Sequence, residues 1–165
     1  MVDLLGGVDE VFAMTAIGFP TRTVTSKPRY GEVFQVETPS HVQALMRFAS
    51  GVQASLLLSF DLKCPYDSAI EIFGTEGSIL IKEPIGFGYP VKLCKGTGEY
   101  EEVPFVNDLT GNLRGYSGAD MAQCIETGRK DFMAPAARAR HLLHVMEKML
   151  ESADTGRICK VDSPL

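Results

Sequence analysis

The chain has 165 residues, 45% of them hydrophobic and 22% charged, with a formal net charge of −5. That length and balance fit one globular domain with its own core and no need of staples. The acidic balance, with Lys and Arg in runs no longer than two, argues against a nucleic-acid partner. No window approaches the roughly eighteen consecutive apolar residues of a membrane span.

Met1 to Val8 reads as the tail of a helix closed at Gly6-Gly7, since glycine commonly sits just past a helix end. Only the last turn of that helix is present, so the expectation is a chain cut from something longer. Asp3 and only a short apolar stretch follow Met1, which does not fit a signal peptide. Cys64, Cys94, Cys124 and Cys159 include no C-x-x-C pair. The expectation is four reduced thiols in a cytoplasmic protein.

Glu10 to Gly18 fits a strand. Phe19 to Val33 holds two prolines, Thr/Arg residues and Gly31, and reads as a long irregular loop of a kind that often carries function. Three hairpins follow. His41 to Ala49 turns at Ser50-Gly51 into Val52 to Asp61. Ser68 to Gly74 and Ser78 to Glu83 flank Thr75-Glu76-Gly77, where Gly74 and Gly77 free the backbone for a tight turn. Val91 to Lys95 and Tyr100 to Phe105 flank Gly96-Thr97-Gly98. Consecutive hairpins make a mostly antiparallel sheet.

Asn107 to Gly115 reads as a polar loop. Ser117 to Thr127 then fits a helix with Ser117 as N-cap, Asp120 close to a capping box, and Gly128 as C-cap. A second helix runs from about Ala134 to Thr155, with Leu142, Met146, Met149 and Ala153 as its core stripe and Gly156 at its end. Ile158 to Val161 is a last short strand. Strands first and helices later give an α+β class: a mostly antiparallel sheet of about six strands, with helices packed on one face and the other face open. Residues 1–165 are expected to form a single domain that opens with the tail of a helix over 1–8.

The central hairpin has unlike faces. Val42, Met46 and Phe48 should meet the helices. His41, Gln43, Leu45 and Arg47, with Gln53, Ser55, Leu57 and Ser59, form a mixed face that either lies wet or pairs with another copy.

Few residues offer chemistry. Gly86-Phe87-Gly88 and Gly96-Thr97-Gly98 each hold G-x-G, but neither follows a strand and opens a helix, as a dinucleotide cradle requires. No Walker sequence is present. His141, His144 and Glu147 share a helical stripe that, flanked by Arg138, Arg140 and Lys148, reads as solvated rather than as a metal site. Ser117 lacks the setting of a nucleophile elbow. Arg114 and Tyr116 stand just before a helix start, where a guanidinium fork suits hydroxyls or carboxylates and a tyrosine offers a ring face and a hydroxyl. The competing reading pairs Arg114 with Asp108 or Asp120 to hold the loop. Arg22, between Thr21 and Thr23 in the early loop, is a similar candidate. The substrate-facing set is therefore Arg22, Arg114 and Tyr116, with no catalytic, cofactor-binding or metal residue assigned.

Several of these segments resemble the C-terminal domain of the Gfo/Idh/MocA oxidoreductases. They are Ile70-Glu71-Ile72-Phe73-Gly74-Thr75-Glu76-Gly77-Ser78, the helix start at Arg114-Gly115-Tyr116-Ser117-Gly118-Ala119-Asp120-Met121-Ala122, and His141-Leu142-Leu143-His144-Val145-Met146 followed by Leu150-Glu151-Ser152-Ala153 and Gly156-Arg157. Their order and spacing extend the resemblance over essentially the whole chain. It implies that residues 1–165 are the C-terminal substrate and oligomerisation domain, with 1–8 as the tail of the inter-domain helix, of a parent whose N-terminal Rossmann half binds NAD or NADP. It implies hydride transfer at a carbinol carbon of a sugar, cyclitol or related alcohol, and a homo-oligomer formed through the open sheet face. The family's E-K-P lysine and D-x-G-x-H residues have no counterpart here, so the chemistry is expected to belong to that other half. The alternative is a free-standing, non-catalytic sugar-binding or scaffold module that reuses the fold.

Overall fold

The computed structural model describes residues 1–63, 70–106, 110–111 and 114–163. Cys64, Ser68, Asn107 and Asp108, named above, lie outside them. The chain forms two compact units, one from residues 1–63 and 134–165, the other from residues 64–133.

The first unit opens with α1 (Val2–Leu5), which ends at Gly6 with φ 86°. β1 (Val8–Ala16) follows, then a pair of short strands, β2 (Thr21–Thr23) and β3 (Val33–Gln35). β4 (His41–Phe48) and β5 (Gln53–Ser59) form the expected hairpin, with Gly51 at φ 86° in its turn. In the second unit, β6 (Ile70–Phe73), β7 (Gly77–Ile81), β8 (Val91–Lys95) and β9 (Glu101–Val103) make an antiparallel meander, followed by α2 (Tyr116–Thr127). The chain then returns to the first unit with α3 (Ala136–Thr155) and β10 (Cys159–Lys160). The class is α+β and antiparallel throughout. The strands fall into three sheets, ordered β10-β1-β4-β5, β2-β3 and β6-β7-β8-β9.

The early segment is thus not wholly irregular: Thr21 pairs with Gln35, Arg22 with Phe34 and Thr23 with Val33. Proline and mixed Thr/Arg residues hide this pairing from a search for alternation.

The core of the first unit is built where β1 and β4 meet α3. Val11, Ala13, Ala44, Met46 and Phe48 are buried against Val145 and Met149. Alternation explains the strand side: the residues between these on β4 face the other way and are exposed. The helix side is rotated from the expected stripe. His141, Val145, Met149 and Ser152 point inward, whereas Leu142 and Met146 are exposed, Met146 by 53%. The reason is polar. β10 pairs only with Glu10 and Val11 of β1. The amide of Val8 donates to His141 Nε2 at 2.9 Å and that of Ala13 to Ser152 Oγ at 3.0 Å. Side chains from α3 satisfy strand amides that a two-residue partner does not reach. His141, 1% exposed, is therefore a core residue and not part of a solvated stripe. Because its Nε2 accepts, its Nδ1 carries the proton and donates to the Ser163 carbonyl at 2.9 Å.

Two further local expectations change. α2 begins at Tyr116 with Gly115 in the capping position, and no side chain caps it. Ser117 lies inside the helix, and Asp120 is turned away: its carboxylate takes Arg129 and, at 2.8 Å, the Met133 amide. Gly128 closes α2 in the left-handed conformation, as expected. Gly77 has no positive φ; a Cβ there would lie 2.1 Å from the Cys94 carbonyl oxygen. Close approach of β7 to β8, rather than turn geometry, requires that glycine.

Candidate functional site

The most developed polar cluster lies in the first unit, at the end of β5. Asp61 follows that strand, and three donors converge on its carboxylate. Ser40 Oγ donates to Oδ2 at 2.8 Å, the Gly18 amide donates to Oδ2 at 3.1 Å, and Arg22 Nη2 pairs with Oδ1 at 2.6 Å. The Asp61 amide donates to Ser59 Oγ at 3.1 Å, and that hydroxyl lies 3.0 Å from His41 Nδ1. The Ser40 hydroxyl does most to hold the Asp61 carboxyl below its usual value; partial burial opposes it, and Gly18 and Arg22 reinforce it. Gly18 has no room for a side chain, because a Cβ would come 2.7 Å from Asp61 Oδ2. A carboxylate so supplied with donors is poorly suited to take a proton from a substrate. It is well suited to fix the three segments that reach it.

Arg22 is placed by this cluster. It projects from β2, and its Nη2 also donates to the Phe60 carbonyl at 2.9 Å. Its side chain keeps 29% exposure, and its Nε is buried with no partner among the described residues. Arg114 and Tyr116 belong to the second unit, together at the entry to α2, where Tyr116 is half-exposed. The structure brings these two into one turn. Arg22 belongs to the first unit.

A second feature of the first unit is the open face of its four-stranded sheet. Cross-strand pairing sets Glu10, Phe12 and Met14 of β1 opposite Arg47, Leu45 and Gln43 of β4. Gln53, Ser55 and Leu57 of β5 continue that surface. Arg47 and Glu10 form an ion pair at 3.1 Å. Leu45 is 61% exposed between them and Met14. A shallow concavity of about 600 Å³ lies on this face, lined by Phe12, Leu45, Arg47, Ser55 and Ile158 among others.

The glycine pairs do not build a nucleotide cradle. Gly86 and Gly88 lie between β7 and β8, and Gly96, with φ 58°, turns β8 toward β9. Neither pair opens a helix. Neither therefore supplies the helix-opening turn on which a dinucleotide's pyrophosphate rests.

Residues 1–80 match the family model described as the GFO/IDH/MocA C-terminal domain. Over those residues the chain is similar to the GFO/IDH/MocA C-terminal domain. Solved structures extend the likeness in fold over nearly the whole chain. Levoglucosan dehydrogenase, in its complex with NADH and L-sorbose, is similar to 98% of this chain with a TM-score of 0.79 at 18% identity. An NAD binding oxidoreductase from Klebsiella pneumoniae is similar over 97% with a TM-score of 0.73 at 21% identity. The aldose-aldose oxidoreductase from Caulobacter crescentus, complexed with glycerol, is similar over 93% with a TM-score of 0.70 at 21% identity. At such identities the likeness is one of fold. The chain spans 47%, 47% and 41% of those three proteins, so about half of each or less. No curated protein sequence matches the chain.

Sequence reading missed Asp61, His141 and Ser152. Asp61 lies about forty positions from Arg22 and Gly18, so no local spacing announces the cluster. The one local signal is an acidic residue placed directly after an apolar strand.

Proposed function

We propose that this GFO/IDH/MocA domain is the substrate-side half of an NAD- or NADP-dependent oxidoreductase acting on a sugar, cyclitol or related alcohol. The observation that carries the proposal is the TM-score of 0.79 over 98% of the chain to part of a dehydrogenase complexed with NADH and a sugar. The poor fit of its own glycine turns to a nucleotide agrees with a division of labour, in which a Rossmann half on another segment holds the cofactor. Arg114 and Tyr116 supply part of the substrate wall. Arg22 contributes from the first unit the donors that Asp61 and Phe60 do not engage. The open sheet face is the surface through which two copies associate.

Two measurements test this. Titration of the 165-residue chain with NADH, followed by fluorescence, should show no binding; micromolar affinity would overturn the division of labour. In a protein that joins the chain to a dinucleotide-binding half, Arg114→Ala should raise KM for the polyol about tenfold or more while leaving KM for the nucleotide near its original value. Equal effects on both would remove Arg114 from the wall.

A further inference from the structure

Between β1 and β4 the chain leaves the main sheet for residues 17–39 and returns. The two strands within this excursion, β2 and β3, pair with each other and with no strand of the other sheets. The segment is internally tied. The Val24 amide donates to the Glu32 carbonyl at 2.8 Å, the Gly31 amide to the Val24 carbonyl at 2.9 Å, and the Val36 amide to the Pro20 carbonyl at 2.9 Å. Arg29 and Glu32 add an ion pair at 2.8 Å.

Its attachment to the rest of the unit is different in kind. Ile17, Phe19, Tyr30, Val33 and Phe34 are all exposed, Val33 by 67%, so little apolar area holds it down. The hydrogen bonds that leave it, among the described residues, end on adjacent positions. Gly18 and Arg22 donate to the Asp61 carboxylate, and Arg22 donates also to the Phe60 carbonyl. Lys63, two residues further, stacks its ammonium 5.3 Å from the centre of the Phe19 ring. Ser40, at the base of the segment, donates to the same carboxylate.

We propose that residues 17–39 form an arm that opens as one cooperative unit while the main sheet stays intact, and that the Asp61 carboxylate is the latch that sets how often it does so. The physical basis is an imbalance. Each core strand is held by ladders on one or both sides and by buried apolar contacts, whereas the arm is held chiefly by one charge that takes donors from Gly18 and Arg22 and that Ser40 holds in place, with the Phe60 carbonyl and Lys63 beside it. Segments with few buried contacts open at far lower free energy than the global transition. A two-stranded hairpin released from its support is marginal in water, so the arm's own hydrogen bonds are expected to exchange on each opening. The proposal rests on the geometry of the first unit alone and does not depend on the substrate reading.

Amide hydrogen exchange of the intact chain tests it, residue by residue. In the wild type, the amides of Val24, Gly31 and Val36 should exchange with a common protection well below that of Phe48 and Val161, whose amides sit in the core unit. Asp61→Asn keeps the volume and removes the charge. It should speed exchange of the three arm amides by about tenfold or more, the scale of a lost charge-assisted hydrogen bond, and leave Phe48 and Val161 within about twofold. Ser40→Ala, which removes one donor and keeps the carboxylate, should move the same amides in the same direction by less, and it serves if Asp61→Asn fails to fold. Arm and core amides that accelerate together would overturn the proposal, because Asp61 would then be part of the global fold. So would arm amides that are unchanged in both variants.

Discussion

At the scale of single residues, Ser152 shows how much one buried side chain can hold. Its hydroxyl accepts the Ala13 amide and donates to the Arg157 carbonyl at 2.5 Å, joining β1, α3 and the turn after it. Ser152→Ala removes both bonds and strands a buried amide, a change worth about 1–3 kcal/mol. Urea unfolding should show that loss with an unchanged m-value; a loss under about 0.5 kcal/mol would mean water replaces the hydroxyl. Asp61 gives a pH prediction. Its carboxyl is held below the ordinary value, so its contribution is complete above about pH 4 and fades as the pH falls through its folded-state value. The gap in melting temperature between the wild type and Asp61→Asn should therefore be widest near neutrality and narrow in acid. A gap equally wide at pH 3 and pH 7 would show that the carboxylate's charge is not what matters.

Elements were legible in the sequence where they carry their own punctuation. The β4–β5 and β8–β9 hairpins follow from alternation interrupted by glycine, and both α2 and α3 stop at the glycines expected to stop them. The facing of α3 was not legible, because inward-facing His141 and Ser152 look like surface residues until the amides they serve on β1 are known. The β2–β3 pair was hidden by proline and mixed Thr/Arg residues that break alternation, and its Asp61 anchor by partners that are polar and about forty positions away, so no periodicity records either. β7 offers a test of what its glycines are for. Gly77→Ala drives a methyl group into the Cys94 carbonyl, and the strands must part, at a cost of about 1–3 kcal/mol or more. At Gly74 the same change meets only the Gly77 carbonyl oxygen at 3.4 Å, an ordinary contact. Thermal melting should separate the two variants clearly; equal effects would contradict the close approach.

For the whole molecule, the open face of the first sheet is the surface on which the proposed association can be judged. Leu45 stands exposed near an ion pair, and a second copy that buries it would also shield Glu10 and Arg47. Leu45→Arg adds a like charge beside Arg47 and should shift sedimentation from dimer to monomer without lowering the melting temperature of the isolated chain. A wild type that sediments as a monomer at high concentration would end the proposal. A variant that stays dimeric would move the contact elsewhere.

The return of the chain into the first unit bears on the order of synthesis. β1 and β4 are made before the helix and side chains that complete β1, which come from residues 136–163, after an inserted unit of seventy positions, residues 64–133. A ribosome therefore exposes an unfinished β1, with the Val8 and Ala13 amides unserved, throughout the time it makes the second unit. The second unit is contiguous and has only local strand pairings, so it can fold first. Emergence of residues 136–163, and not that of β5, is then the moment at which the first unit can close. Until that moment the apolar faces of β1 and β4 are open to chaperones or to another nascent chain.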